Sequence, residues 1–158
     1  MSEALEGATP GYLVWRLSIK WRVAVDRALA PLGLTHAQYV LLSSLFGMRR
    51  AGLYPSQREL ADHTGLEALY VSKLARALEN DGLVERTRDP ADSRAIRLAL
   101  TERGDTAVRP ALAVVQALVD QLLDPLGGQD DPRTATFVHD LTTLLNAPLA
   151  PSPQEASA

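Results

Sequence analysis

The chain has 158 residues, a length that fits one compact domain, alone or with an oligomerisation arm. Hydrophobic residues make up 46% and charged residues 22%, as in ordinary soluble globular proteins. Cysteine is absent, which excludes disulfides, thiolate catalysis, cysteine-based zinc sites and thiol redox sensing. Because no uninterrupted apolar run approaches the roughly 18 residues of a membrane span, and the acidic start lacks the basic region of a secretory signal, we expect a cytoplasmic protein with no membrane partner.

The formal net charge of −3 argues mildly against a nucleic-acid partner when it is taken alone. The distribution weakens that argument. Between Arg49 and Arg103 there are 10 Lys and Arg against 9 Asp and Glu, so the middle of the chain is slightly basic and the ends are acidic. Local placement of the charges must therefore decide.

Two helices are predicted in the first third of the chain. Apolar residues recur at three- and four-residue steps over residues 11–30, until Pro31 and Gly33 interrupt the pattern. Thr35 and Gln38 then have the spacing of a capping box, which predicts that a second helix begins there.

A short helix, a turn and another helix are predicted next. Ser56 and Glu59 form a second capping-box pattern. Gly65 marks a turn, and the following helix is predicted over residues 67–80, with Gly82 just beyond its end.

A β-hairpin and two helices complete the pattern. Residues 83–88 and 95–100 are the predicted strands, joined by residues typical of turns. A long helix is predicted over residues 102–123, kinked at Pro110, and a last helix begins at Pro132.

The spacing of Ala61, Gly65 and Val71 is typical of a helix-turn-helix. A small residue lets the second helix cross closely over the first, and glycine permits a left-handed backbone in the turn. Valine fills the angle between the helices.

The second helix of this pair has a polar face opposite its apolar one. Cations and amides can bond to base edges in the major groove, and hydroxyl groups can reach phosphates. The alternative is a solvated helix with two incidental cations. The residues on or beside this face are Leu69, Tyr70, Ser72, Lys73, Arg76 and Asn80, and Ser56 is a further candidate DNA contact.

The hairpin is rich in arginine: Arg86, Arg88, Arg94 and Arg97. A basic β-ribbon can lie on the DNA backbone and insert an arginine into a narrow minor groove. An aspartate beside an arginine can orient its guanidinium by a bidentate pair, which explains the acidic residues Asp89 and Asp92. The alternative is an exposed hairpin whose charges neutralise one another.

At this point the chain resembles the MarR (multiple antibiotic resistance regulator) family of bacterial winged-helix transcription factors. The resemblance spans residues 11–146. It rests on seven segments, of which the Asp-x-Arg wing tip followed by Leu-Thr-x-x-Gly is the most specific: residues 34–39, 60–61, 64–66, 71–74, 78–84, 89–94 and 100–104.

This resemblance implies a mainly α fold with a small β-hairpin wing, a winged helix-turn-helix that forms a homodimer through its N- and C-terminal helices. It also implies that Arg94 enters the minor groove, steadied by Asp92. Two recognition helices about one DNA turn apart, ~34 Å, require a pseudo-palindromic site in double-stranded DNA. Leu69 departs from the family, since many relatives have a small polar residue there, so the base preference is left open.

Relatives commonly bind small aromatic acids or phenols between the dimerisation helices and the DNA-binding lobe. The residues predicted to line such a ligand pocket are Tyr12, Trp15, Arg16, His36 and Tyr39. Aromatic rings would stack on the ligand and Arg16 would pair with its carboxylate. The alternative is that these aromatic residues simply pack in the core.

No chemistry for catalysis is predicted. The three histidines lie on different predicted helices, and neither a metal-ligand spacing, a phosphate-binding loop nor a cofactor motif is present. We therefore expect no enzyme, metal or cofactor, but a sequence-specific transcriptional regulator, a repressor released by a small aromatic or phenolic ligand. The alternative is a winged-helix dimer that acts as a protein-interaction module without DNA binding.

The expected organisation has four parts. Residues 1–10 form a flexible start, and residues 11–34 and 102–146 form the dimerisation helices. Residues 35–101 form the DNA-binding lobe, and residues 147–158, rich in Pro, Ala and Ser, form a disordered tail.

Overall fold

The computed structural model describes residues 7–149, so the predicted flexible start and disordered tail lie mostly outside the described residues. The chain is mainly helical, with one two-stranded antiparallel sheet, which confirms the predicted fold class. In chain order the elements are α1 (Pro10–Leu29), α2 (His36–Arg50), α3 (Gln57–Thr64), α4 (Ala68–Asn80), β1 (Val84–Arg88), β2 (Ile96–Leu100), α5 (Glu102–Leu123) and α6 (Pro132–Asn146). The chain divides between Leu118 and Val119 into two compact units.

Both predicted capping boxes are present. At the start of α2, Thr35 Oγ1 accepts a hydrogen bond from the Gln38 backbone N–H at 3.2 Å, and Gln38 Oε1 accepts one from the Thr35 N–H at 3.0 Å. Ser56 and Glu59 exchange the same two bonds at 3.2 and 2.7 Å before α3. The bond from the Ser56 backbone N–H is the main reason that the pKa of Glu59 lies below its usual value.

The core of the larger unit is aliphatic. It joins α1, α2, α3, α4, the hairpin and the first half of α5. Residues at or near zero exposure come from each of these elements: Val25, Leu29, Leu41, Leu42, Leu60, Val71, Leu78, Leu98 and Val108. This packing holds the helix pair and the base of the hairpin as one body.

The hairpin pairs from Val84 opposite Leu100 to Arg88 opposite Ile96. A third stretch of chain joins it, because Ser56 forms an isolated antiparallel bridge with Arg97. The Leu98 N–H also donates to the Pro55 carbonyl at 2.9 Å. β2 is therefore hydrogen-bonded on both of its edges.

The Leu-Thr-x-x-Gly segment ties the hairpin to α5. Thr101 Oγ1 donates to the Gly82 carbonyl at 2.6 Å and accepts from the Gly104 N–H at 3.0 Å, as expected for a helix cap. Glycine is required at position 104, because a Cβ there would overlap the Leu83 carbonyl. The motif thus fixes where the long helix leaves the sheet.

Helix α5 runs continuously through Pro110. By length and composition the stretch Glu102–Leu126 could cross a membrane, although little of it is buried. Its first half, however, contributes Val108, Ala111 and Val115 to the aliphatic core. The first half of α5 is therefore part of the core of the larger unit.

The smaller unit contains the end of α5 and helix α6. Asp131 caps α6 through a 2.8 Å bond from the Arg133 N–H, and Pro132 occupies the first helical turn, as predicted. Thr134 is buried and donates to the Gly128 carbonyl at 2.7 Å. Four large apolar side chains of α6 are exposed in the single chain: Val138, Leu141, Leu144 and Leu145.

Candidate DNA-binding surface

The turn between α3 and α4 has the geometry that its spacing predicted. Gly65 ends α3 in the left-handed region at φ 71°. Ala61 and Val71 are buried on either side of it, at 5% and 0% exposure. Thr64 Oγ1 donates back to the Leu60 carbonyl at 2.8 Å and secures the last turn of α3. The angle of α4 is thus fixed by apolar packing and by the turn itself.

The polar face of α4 points away from the core. Lys73, Arg76 and Asn80 are exposed, and Leu69 is 85% exposed near the N-terminus of the helix. Within residues 7–149 neither Lys73 nor Arg76 forms an ion pair. Beside this face, Tyr70 is exposed and Ser72 is half-buried. The outward face of α4 therefore presents Leu69 in its first turn, followed by two cations without an ionic partner in the part of the chain that the structure describes, Lys73 and Arg76.

The tip of the hairpin is organised by Asp89. Its Oδ1 accepts from the Ala91 and Asp92 backbone N–H groups at 2.7 and 3.3 Å, a side-chain turn that closes the loop. Asp92 Oδ1 accepts from the backbone N–H of Arg94 at 3.0 Å. Asp92 thus fixes the Arg94 backbone and leaves the guanidinium exposed, whereas the sequence predicted an aspartate that orients the neighbouring guanidinium directly.

Arg97 makes the guanidinium pair instead. Its Nε donates to Asp89 Oδ2 at 2.5 Å and its Nη1 donates to the Tyr54 carbonyl at 2.8 Å. The Ala91 N–H, together with the Arg97 guanidinium, holds the pKa of Asp89 below its usual value. This brace from β2 to the wing tip was not predicted, because only the strand register shows which arginine meets which aspartate.

Arg86 forms a second brace. Its Nη1 donates to Glu79 Oε2 at 3.1 Å, and its Nε donates to Gln57 Oε1 at 3.2 Å. The bond partners lie on α4 and α3, so Arg86 links the hairpin to both helices. Of the arginines predicted to contact DNA, Arg88 and Arg94 are exposed, while Arg86 is engaged within the chain.

An open groove of about 1100 Å³ separates the hairpin from α3. Its lining includes Ser56, whose hydroxyl oxygen accepts a hydrogen bond from the Glu59 N–H in the α3 cap. The groove is of mixed charge, because Arg58, Arg94 and Arg97 face four acidic side chains: Glu59, Asp62, Asp89 and Asp92. The groove is therefore not a uniformly cationic surface, and Lys73 and Arg76 of α4 lie outside it.

The five residues of the predicted ligand pocket lie on two neighbouring helices. Tyr12 and Trp15 pack against each other on α1 with ring centroids 6.0 Å apart, and both rings are about half exposed. Arg16 is exposed. His36 and Tyr39 are half-buried at the start of α2, where burial lowers the pKa of His36 and raises the pKa of Tyr39.

Another cavity, of about 440 Å³, lies between the end of α2 and the start of α5. The guanidinium groups of Arg50 and Arg109 lie 5.9 and 5.3 Å from the Phe46 ring centroid. Asp105 pairs with Arg109 at 2.7 Å and with Arg49 at 3.5 Å. None of the lining residues belongs to the predicted ligand pocket. Among residues 7–149 no cluster of side chains suits a metal ion.

The comparisons with known proteins agree with this geometry. A family model described as the MarR family matches residues 32–95, from just before α2 through the wing tip. The chain is 38% identical over 110 residues to an uncharacterized HTH-type transcriptional regulator, YdcH, of Bacillus subtilis, a match that spans 70% of this chain and 75% of the relative. The chain belongs to the MarR family.

A second curated relative is an HTH-type transcriptional repressor of Mycobacterium tuberculosis. It is 36% identical over 112 residues, which is 71% of this chain and 78% of that protein. These two relatives of this MarR-family chain are thus named as transcription regulators, and one of them as a repressor.

Solved MarR-family structures share the fold. The Staphylococcus aureus MepR–DNA complex superposes with a TM-score of 0.76 at 25% identity, covering 87% of this chain and 96% of that one. A mutant MarR from E. coli complexed with operator DNA gives a TM-score of 0.75 at 25% identity and covers 89% and 96%. The predicted winged helix-turn-helix is confirmed by these neighbours.

Proposed function

We propose that this MarR-family chain is a homodimeric, sequence-specific repressor that binds a pseudo-palindromic operator in double-stranded DNA in the cytoplasm. The observation that carries the proposal is the face of α4. It presents unpaired Lys73 and Arg76 on a helix that Val71 and Leu74 anchor in the core of the part of the chain that the structure describes. Such a rigid, cationic helix suits entry into the major groove.

The wing supplies the second contact. Arg94 projects from a tip closed by Asp89 and Asp92, and Arg88 is exposed on β1. An exposed arginine on a narrow ribbon can enter the minor groove, while its neighbour reaches a phosphate. Arg86 acts indirectly, by holding the ribbon against α3 and α4. Ser56 and Tyr70 remain candidate phosphate contacts.

The exposed apolar residues of α1 and of α6 support the dimer. Each helix carries a run of large apolar side chains that a single chain leaves in water, which marks an interaction site. On α1 these are Tyr12, Leu13, Val14, Trp15, Leu17, Ile19 and Val23. We therefore assign residues 11–34 and 102–146 to dimerisation and residues 35–101 to DNA binding.

The proposal also includes release of the operator by a small ligand. An aromatic acid or phenol would stack on Tyr12 or Trp15 and contact His36 or Tyr39, with Arg16 pairing with its carboxylate. Benzoate and phenol serve as probes of the two chemical classes. The proposal expects at least one to weaken operator binding of the wild type, and benzoate release to be lost in Arg16→Ala. Unchanged binding with both probes and a wider panel of aromatic acids would refute it.

The test of DNA binding is fluorescence anisotropy with the DNA upstream of the gene, against a scrambled duplex, at 50 and 200 mM salt. Neutralising 6–10 phosphates predicts that affinity falls by ~10³–10⁵ between these salt concentrations. Lys73→Ala and Arg94→Ala should weaken binding without unfolding the dimer, whereas Arg103→Ala, which removes one exposed charge from α5, should not.

If the upstream DNA behaves like the scrambled duplex, the same protein is used to select duplexes from a random library. Failure to enrich any sequence, from a folded dimer, would refute the DNA-binding proposal. That result would favour the protein-interaction alternative, which the net charge of −3 motivates.

A further inference from the structure

Leu69 is the most exposed of the large apolar side chains that line the surface of residues 7–118, at 85%. It is the second residue of α4, so it lies in the first turn of the helix that the proposed function places in the major groove. Most of the other exposed large apolar residues of this unit lie together on α1, and the remainder are Leu32, Leu53, Tyr54 and Tyr70. Leu69 instead stands on a polar face and needs a separate explanation.

The neighbours of Leu69 indicate the chemistry of its partner. Lys73 and Arg76 follow it at four- and seven-residue spacing, which places all three on the same side of the helix. A protein surface that covered Leu69 with apolar groups would also have to desolvate both cations, at a large cost. DNA offers phosphates to the cations at the rims of the groove and base edges to the leucine on its floor.

The backbone around Leu69 is well fixed. The left-handed Gly65 begins the turn two residues before Glu67, and the Val71 N–H donates to the Glu67 carbonyl at 2.9 Å. Val71 is fully buried, so the first turn of α4 is anchored directly beside the exposed leucine. No side chain caps this helix end among residues 7–149, which leaves it open to a closely approaching surface.

We propose that Leu69 reads the C5-methyl group of thymine in each half-site. That methyl is the largest apolar group among the base-edge atoms of the major groove, where the bases otherwise present mainly hydrogen-bond donors and acceptors that leucine cannot satisfy. This inference rests on the proposed DNA-binding function and adds its base preference. It makes Leu69 a specificity-determining residue.

The experiment removes only the methyl group. Duplexes are first selected by the wild-type protein from a random library, and each thymine of both half-sites is then replaced in turn by deoxyuridine, which pairs with adenine in the same way. At one symmetric position the absence of the methyl group should weaken binding about fourfold per half-site, or about fifteenfold in both.

Leu69→Ala should bind the thymine and deoxyuridine duplexes equally, whereas Leu69→Met should restore part of the preference because it keeps an apolar tip. Since the Leu69 side chain is almost entirely in solvent, both variants should fold, which thermal unfolding checks. Leu53→Ala, a matched change at an exposed leucine outside α4, should discriminate like the wild type.

The outcomes separate the two proposals. Sequence-selective, salt-dependent binding that is indifferent to every thymine-to-deoxyuridine change overturns the role of Leu69 and leaves DNA binding standing. Discrimination that persists in Leu69→Ala also overturns it. If no duplex is enriched by the folded wild type, the DNA-binding function fails and this inference fails with it.

Discussion

Helix α4 and the wing are held in place by different forces. Four residues of α4 are buried in the aliphatic core: Val71, Leu74, Ala75 and Leu78. The wing buries apolar residues from its base only as far as Leu98, opposite Arg86, and from Pro90 to Arg94 every side chain is exposed. Its tip is held by the Asp89–Arg97 pair and its middle by the Arg86–Glu79 pair.

This difference decides which charges remain available. Because apolar packing anchors α4, the helix does not need Lys73 and Arg76 to hold it in place. The wing has no apolar anchor near its tip, so Arg86 and Arg97 serve as braces, and Arg88 and Arg94 are left for a partner. The same residue type thus has two roles within one hairpin.

The largest expected effect is a loss of stability, and it comes from comparing a substitution on the buried side of α4 with one on its exposed side. Leu78→Ala removes a fully buried side chain and should lower the free energy of unfolding by about 2–5 kcal/mol. Lys73→Ala should change it by less than about 0.5 kcal/mol, while the salt slope of DNA binding should fall by about 1, because one phosphate is no longer neutralised. Urea unfolding and anisotropy measure the two quantities. An equal decrease of stability in both variants would contradict the assignment of Leu78 to the core and of Lys73 to DNA binding.

An intermediate effect should separate the two aspartates of the wing tip. Asp89→Asn removes the charge that holds the Arg97 guanidinium, so amide hydrogen exchange at residues 89–95 should accelerate and DNA affinity should fall, though by less than in Arg94→Ala. Asp92→Asn is the matched control. Its amide oxygen can still accept from the Arg94 N–H, so the wing should keep its protection.

The sign of the pH effect follows from the depressed pKa of Asp89. The ion pair contributes fully above the ordinary pKa of aspartate, 3.8, and is lost only as the pH falls through the lower folded value. Wing protection in the wild type should therefore persist at pH 4. Faster exchange in Asp92→Asn than in Asp89→Asn would reverse the assignment of the brace.

The smallest expected effect is a change in the pH dependence of stability, and it concerns His36, which is half-buried at the start of α2. Burial lowers its pKa, and nearby Asp26 only partly opposes this. Between the lowered pKa of folded His36 and the ordinary value of 6.5, the unfolded chain binds more protons than the folded one, so the free energy of unfolding should fall as the pH drops from 7.5 to 5.5. His36→Gln should flatten this dependence in urea titrations, and an unchanged dependence in that variant would contradict the prediction.

The helix-turn-helix could be predicted because its constraints are local in sequence. Capping boxes need residues three apart, and Gly65 and Val71 act on the turn beside them. Helical periodicity also placed Lys73 and Arg76 on the outward face. These features depend on neighbouring residues, so the sequence alone defines them.

Which arginines of the wing form ion pairs and which stay exposed could not be predicted in the same way. Arg97 meets Asp89 eight residues away and the Tyr54 carbonyl 43 residues away, contacts that depend on strand register and on how α2 is followed by α3. Arg86 likewise meets Gln57 only in the folded lobe. The number of arginines in the sequence indicates a basic hairpin, but tertiary contacts decide which of these arginines are available to a partner.

The bridge between Ser56 and Arg97 also bears on self-association. With β1 on one side and the Pro55–Ser56 segment on the other, the middle of β2, at Arg97 and Leu98, is not available to template another strand. The remaining edge belongs to β1, where three of the five residues are charged, Glu85, Arg86 and Arg88, and charges on an edge strand disfavour edge-to-edge pairing. The wing can therefore stay exposed and largely unburied at its tip without becoming a seed for aggregation.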